Sequence, residues 1–316
     1  MKLRDVLDSN RSIPFDDIGR VDALALDVQT LLTTFGLLDP PADGKFGPVS
    51  RWALGEAFGK LGLPARANLD KNVARQLLEA DPEGLFPSQP VRDFAGAVVR
   101  ALRSKQYWLC RHPDCVNIVY VEGVNLDGTP NDDGPNAFND VRLILEHSDE
   151  GVPRVAGIWE ATTAPGRLIV NHPYPGTIGA AHIALGQFKS WAVGLHGEGK
   201  DEHQALVQTE WVTVFRDVNR DFRRTGDPTQ SGYYGINQHW GYDYPVNDIR
   251  NASGGCLVGR LRSGHVAFMA MVKGDARYRQ STGYRFMTSI LDRSELEDVP
   301  LARATTPETK IKRQRS

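Results

Sequence analysis

Val116-Asn117-Ile118-Val119-Tyr120-Val121-Glu122-Gly123-Val124 decides the class of the larger part of this chain. It is dense in β-branched and aromatic residues and partly alternates apolar with polar, the pattern of a half-buried strand. Residues 141–147, 155–163 and 206–215 repeat that pattern, with Gly and Pro punctuating the intervals. No long helical period separates them, so the spacing predicts a mainly antiparallel β domain over 105–300 rather than a doubly wound α/β fold.

Residues 1–80 read differently. Val28, Leu31, Leu32 and Phe35 recur at helical spacing before Gly36, and Ala53, Leu54, Ala57, Phe58 and Leu61 do so before Gly62. Asp70 stands where it can cap a third helix bearing Val73, Leu77 and Leu78. The expectation is a small three-helix domain and an α+β chain. Residues 81–104 follow as a Pro-rich linker (81–90) and an amphipathic helix, and 301–316 form a basic tail without apolar periodicity, read as disordered.

Composition bounds the partners. Across 316 residues, 37 Lys and Arg stand against 39 Asp and Glu, a net charge of −2, so no general basic field exists to hold nucleic acid or an anionic membrane. No apolar run reaches the ~18–20 residues of a membrane span. Three cysteines, Cys110, Cys115 and Cys256, are too few for a disulfide scaffold and lack the paired spacing of a zinc site. No cofactor is expected.

The chemistry concentrates in Gly235-Ile236-Asn237-Gln238-His239-Trp240-Gly241 and Asn251-Ala252-Ser253-Gly254-Gly255-Cys256-Leu257-Val258-Gly259. A thiol is mostly protonated near neutrality and needs a base to become a nucleophile, and His239 is its nearest candidate in sequence. Glycines before the Cys let the backbone approach a substrate and aim amide N–H groups at an oxyanion. An inert buried Cys256 is the alternative. His196, in Gly194-Leu195-His196-Gly197, is placed to add a second imidazole. A third reading gathers His196, His203 and Asp201 with His239 or His265 around zinc. Trp159, Trp191 and Trp211 read as core, whereas Trp240 reads as lining the cleft. Asp217-Val218-Asn219-Arg220-Asp221 alternates like the start of a calcium loop. Its sixth position is Phe222 and no Glu closes it at the twelfth, so a solvated turn is the expectation.

Two family resemblances follow from these residues. Asp43-Gly44-Lys45-Phe46-Gly47-Pro48, with Gln29 upstream, resembles the peptidoglycan-binding domain 1 family, which implies glycan contact near Asp43, Gly44, Phe46 and Gly47. His-x-Gly followed by Ser-x-Gly-Cys resembles the L,D-transpeptidase catalytic domain. That resemblance implies Cys256 as nucleophile, His239 as base, Ser253 supporting the Cys loop and Gly255 in the oxyanion turn, with Trp240, Gly254, Arg260 and Asn237 toward substrate. Thr162-Thr163-Ala164-Pro165-Gly166-Arg167-Leu168-Ile169-Val170 looks like that family's upstream strand. Gly254 stands where the family has His, which marks a divergent branch. Together they imply an enzyme acting on peptidoglycan stem peptides through a Cys thioester. The N-terminus does not read as a signal peptide, so the expectation is a lysin- or effector-like protein made in the cytoplasm that reaches the wall after lysis or through a delivery partner. Such a lysis or delivery role calls for hydrolysis, which on that ground ranks ahead of L,D-transpeptidation. A non-catalytic wall-binding or virion protein and a zinc peptidase stay open as alternatives.

Overall fold

The computed structural model describes residues 1–296; the tail expected over 301–316 lies outside them. Five helices come first: α1 (Leu3–Leu7), α2 (Asp22–Thr34), α3 (Pro48–Lys60), α4 (Lys71–Glu79) and α5 (Pro82–Leu85). Asp70 accepts hydrogen bonds from the Asn72 and Val73 amides and so starts α4. Gly36 (φ +74°) and Gly62 (φ +69°) adopt the left-handed conformation just beyond α2 and α3. Leu24, Val28, Leu32, Leu54, Phe58 and Leu77 close one apolar core, to which α1 adds Leu3 and Val6. The 81–90 stretch is not a free strap. Asp81 caps α5, Phe86 is buried in this same core, and Ser88 hydrogen-bonds His147 at 3.0 Å.

Helix α6 (Phe94–Ser104), capped by Asp93, leads into the strands. These are β1 (Asn117–Glu122), β2 (Asp140–His147) and β3 (Pro153–Thr162), then helix α7 (Arg167–Asn171), β4 (Ala180–Ile183), β5 (Gly186–His196), β6 (His203–Gln208), β7 (Val212–Asp217), β8 (Thr229–Gly232), β9 (Gln238–Trp240) and β10 (Leu257–Gly259). Helices α8 (Arg262–Gly274) and α9 (Ala276–Gln280) precede the last strand, β11 (Arg285–Asp292). Eight strands close a barrel in the order β1-β11-β5-β6-β9-β10-β3-β2, and β4-β7-β8 form a second sheet. Pairing is antiparallel except for β1 with β11 and β9 with β10. The chain is thus mixed helix and sheet with a large, mainly antiparallel component.

Alternation explains the layers. Ile118 and Tyr120 of β1 and Ile144 of β2 belong to the core inside the barrel, while Val119, Val121, Leu143 and Leu145 face Val98, Val99 and Leu102 of α6. Residues 206–215 are not one strand. The chain breaks after Gln208, where Thr209 N–H donates to Ser190 C=O and Trp211 is 70 % exposed, because β6 serves the barrel and β7 the second sheet. Trp211 is therefore not core. The strand expected through 162–170 ends at Thr162 and gives way to α7.

The N-terminal helices and the barrel meet at a buried ionic cluster. Arg277 forks onto Asp275 through Nε (3.0 Å) and Nη2 (2.7 Å), and its Nη1 reaches Asp39 at 3.3 Å. Lys189 lies 3.1 Å from Asp39, and Tyr284 donates to the same carboxylate. The two cations hold the Asp39 carboxyl below its ordinary range against the opposing effect of burial.

Candidate active site

Strands β9 and β10 run parallel with His239 opposite Val258, which brings the 235–241 and 251–259 segments side by side. Leu257 N–H donates to Asn237 C=O at 2.9 Å and fixes that register. Ahead of β10 the chain makes a tight turn. Ser253 Oγ accepts from Gly255 N–H (3.1 Å) and donates to Cys256 C=O (2.9 Å). Among the described residues, the Gly254 and Cys256 N–H groups have no acceptor, and the Cys256 amide is the one on the thiol-bearing residue. The amide of Gly255, expected in the oxyanion turn, is already spent on Ser253.

Gly255 needs to be glycine. Its φ is +126°, and a Cβ there would lie 2.8 Å from Ala181 O and 2.7 Å from Ala181 Cβ on β4. Gly255→Ala is expected to cost about 2–4 kcal/mol, from strain plus overpacking. A fall in the urea midpoint at constant slope would show it; an unchanged midpoint would mean the turn is not held this way. Gly166 buttresses the turn from behind, donating to Ser253 C=O at 2.8 Å.

Cys256 is a free thiol, half-buried, as Cys110 and Cys115 are free and buried. Its Sγ accepts from Asn237 N–H (3.4 Å) and donates to Gly235 C=O (3.5 Å); it makes no hydrogen bond to His239. Burial pushes the thiol up to about 11. Since burial favours the neutral form, the thiolate fraction at neutral pH is small and rises with pH. Alkylation of Cys256 by iodoacetamide, read by peptide mass mapping, is therefore expected to accelerate roughly tenfold per pH unit and to keep rising past pH 9.5, where an ordinary thiol levels off. A plateau near pH 7 would contradict the resting state described.

The imidazoles converge. His239 and His196 stack at 4.0 Å between centroids with 14° between planes. His239 Nδ1 lies 2.7 Å from Trp240 C=O, so it carries the proton, and Nε2 is left as a lone pair without a partner among the described residues. Asn237 Oδ1 accepts from Gln208 N–H, which orients its amide to donate to His196 Nδ1 at 2.9 Å. His196 is thereby fixed as the Nε2–H tautomer. Burial holds His239 well below the usual histidine range, and burial together with His203 holds His196 at about 4. Both rings are neutral at pH 7.

The remaining expected residues are placed elsewhere or are already engaged. Trp240 stacks on His203 at 3.7 Å and lies under the Arg262 guanidinium, so its ring is not open to substrate. Arg260 pairs with Glu160 at 2.5 Å. Gly254 faces Tyr174: a Cβ at 254 would sit 2.7 Å from the Tyr174 ring, which takes the space of the side chain expected there. Tyr174 is 55 % exposed, and its hydroxyl is pushed up by burial and by the neighbouring Cys256. No local pattern in the sequence marks it. His203, His265 and His239 each spend a ring nitrogen on a backbone carbonyl, of Asp201, Gln204 and Trp240, and His265 Nδ1 meets Arg142. Among the described residues the histidines form no group whose donor atoms converge on one ion. The zinc reading lacks its ligand set.

No family model matches the sequence, and no curated protein matches it. Two solved structures are similar: an L,D-transpeptidase (residues 123–326) from Xylanimonas cellulosilytica DSM 15894, at 16 % identity and TM-score 0.23, covering 84 % of this chain and 92 % of that one. The second is a fused Zn-dependent amidase/peptidase/peptidoglycan-binding domain-containing protein from Clostridium acetobutylicum ATCC 824, at 10 % identity and TM-score 0.25, covering 89 % and 100 %. Scores this low establish neither fold nor activity for the chain.

The Asp43–Gly47 loop is a fold device. Gln29 Oε1 accepts from Gly44 N–H (2.7 Å), and its Nε2 donates to Asp43 Oδ1 and Lys45 C=O. Phe46 is buried against Phe15, so its ring is turned away from any glycan, and Gly47 is the residue before the first turn of α3. Asp43 and Lys45 line a cleft shared with Lys189, Trp211 and Arg285, and none of the residues around Cys256 lines it.

Proposed function

We propose that this chain is a peptidoglycan-directed cysteine enzyme acting on stem peptides through a thioester on Cys256. The observation that carries the reading is the 253–256 turn. Ser253 consumes the Gly255 amide and the Cys256 carbonyl and leaves the Cys256 N–H beside its own thiol, while Asn237, whose N–H meets the Cys256 sulfur, also hydrogen-bonds His196 of the His239–His196 stack. Acyl transfer needs a nucleophile and an oxyanion donor at the same point.

In the proposed sequence, the Cys256 thiol gives its proton to His239 Nε2 as sulfur attacks a stem-peptide carbonyl. The oxyanion is met by the Cys256 N–H. Collapse expels the amine, which takes the proton back from His239 and leaves a thioester; water attack then returns the free thiol. An amine in place of water would complete transpeptidation. Because the resting thiol is protonated and the His rings are neutral, the proton moves only as a substrate displaces the Gly235 and Asn237 contacts. The peptidoglycan assignment rests on the resemblance of the 43–48 and 239–256 motifs.

Mass spectrometry of purified sacculi incubated with the protein tests this reading. Product masses separate hydrolysis (addition of water) from amine exchange. The high thiol pKa and the missing Cys256–His239 bond favour one rival, a protein that binds wall without cutting it. Sacculus binding without any product would establish that rival.

A further inference from the structure

We propose that the loop joining β7 to β8 is a calcium-binding site formed by Asp217, Asp221 and Asp227. One carboxylate oxygen from each lies within 4.8 Å of the others, inside the ~4.6–5.2 Å spanned by two oxygens on opposite sides of a bound Ca²⁺. Acidic clusters on a surface are common, but this one is not simply solvated. Asp217 and Asp227 are buried, at 1 % and 9 % exposure. Asp227 Oδ1 accepts from Val218 N–H, whereas Oδ2 is sealed from solvent and has no hydrogen-bond partner among the described residues. A buried carboxylate oxygen in that state calls for a cation or a proton.

The arginines nearby do not supply the charge. Arg216 donates to Gln230 and lies over the Tyr234 ring, and Arg224 is committed to Glu122 and Ile183 C=O. Arg224 is also ion-paired with Glu122 rather than with any of the three aspartates. The backbone is wound for convergence: Asp217 accepts from the Asp221 and Phe222 amides, and Arg220 and Phe222 adopt positive φ. All-oxygen, carboxylate-rich donors suit Ca²⁺ better than the smaller, strictly octahedral Mg²⁺. The loop thus holds a calcium site without the Gly and Glu of the helix–loop–helix pattern, closed instead by Asp227.

The site would brace more than its own loop. Asp217 pairs with Ala180 of β4, and the next residue, Ala181, packs against Gly255.

The test is calorimetric titration of the full chain with CaCl₂ and with MgCl₂, alongside thermal melts in each salt and in chelator. Wild type is expected to bind one Ca²⁺ and to melt about 3–8 °C higher at saturation. Asp221→Ala, at an exposed position, and Asp227→Asn, which keeps an oxygen for Val218 N–H, are expected to abolish both signals. Asp227→Asn is expected to melt no lower than wild type in chelator, because it removes a buried charge. Absence of heat and of shift at about 10 mM Ca²⁺, above the ~10⁻³ M range of weak calcium modules, would overturn the proposal. So would a shift that persists in both variants, or an equal response to Mg²⁺.

Discussion

Cys256→Ala is expected to lower product release from sacculi by on the order of 10⁴-fold or more, to below detection, with sacculus binding retained. The size follows from what the substitution removes: the attacking sulfur itself, with the oxyanion amide and the bound substrate left in place. His239→Ala is expected to cost less, about 10²–10⁴-fold, since it deletes only the proton acceptor. Ser253→Ala is a positioning change. It frees the Gly255 amide to move and is expected to lower kcat about tenfold, together with about 1–2 kcal/mol of stability. The decisive comparison is wild type against Cys256→Ala on the same sacculi. Equal product from the two would end the cysteine mechanism.

Arg277→Ala is expected to destabilise the chain by about 3–5 kcal/mol. The guanidinium answers two buried carboxylates, Asp275 and Asp39, and donates to Val116 C=O at 2.8 Å. Removing it strands the Asp275 charge in low dielectric and leaves Asp39 to Lys189 and Tyr284, a cost that exceeds the net worth of the intact cluster. Urea unfolding reads the loss as a lower midpoint. Arg277→Ala with Asp275→Asn is expected to recover part of it, because the stranded charge is gone. A loss under about 1 kcal/mol would show that the cluster does not join the N-terminal helices to the barrel.

Much of this was legible from local pattern. The strand runs at 116–124, 141–147 and 155–163 predicted β1 to β3 to within a few residues, because period-two alternation is imposed by the pleat itself. The Gly-Gly-Cys segment and the His239 segment, which chemistry alone singles out, lie side by side because β9 and β10 pair directly. Helix α8 was missed although His265, Phe268, Met269 and Val272 carry its period and are all buried; the expectation of strands masked it. Tyr174, the Trp240–His203 stack and the pairing of Arg260 with Glu160 arise from residues distant in sequence, and no window of sequence contains them. Phe46 shows the opposite error: a motif residue assigned to ligand contact is a core anchor.

The barrel's closing seam sets the order in which the protein can be made. Strand β11 lies between β1 and β5, in parallel register with one and antiparallel with the other, yet it is the last of the eight strands to leave the ribosome. The N-terminal helices, whose core is built from residues 3–86, can condense while synthesis continues. The barrel cannot, because β1 must wait some 160 residues for its neighbour, a costly loop to close. Until then β5, β6 and β9, which carry His196, His203 and His239, and β10, which follows Cys256, belong to an open sheet. The geometry around Cys256 is therefore complete only once β11 has taken its place between β1 and β5.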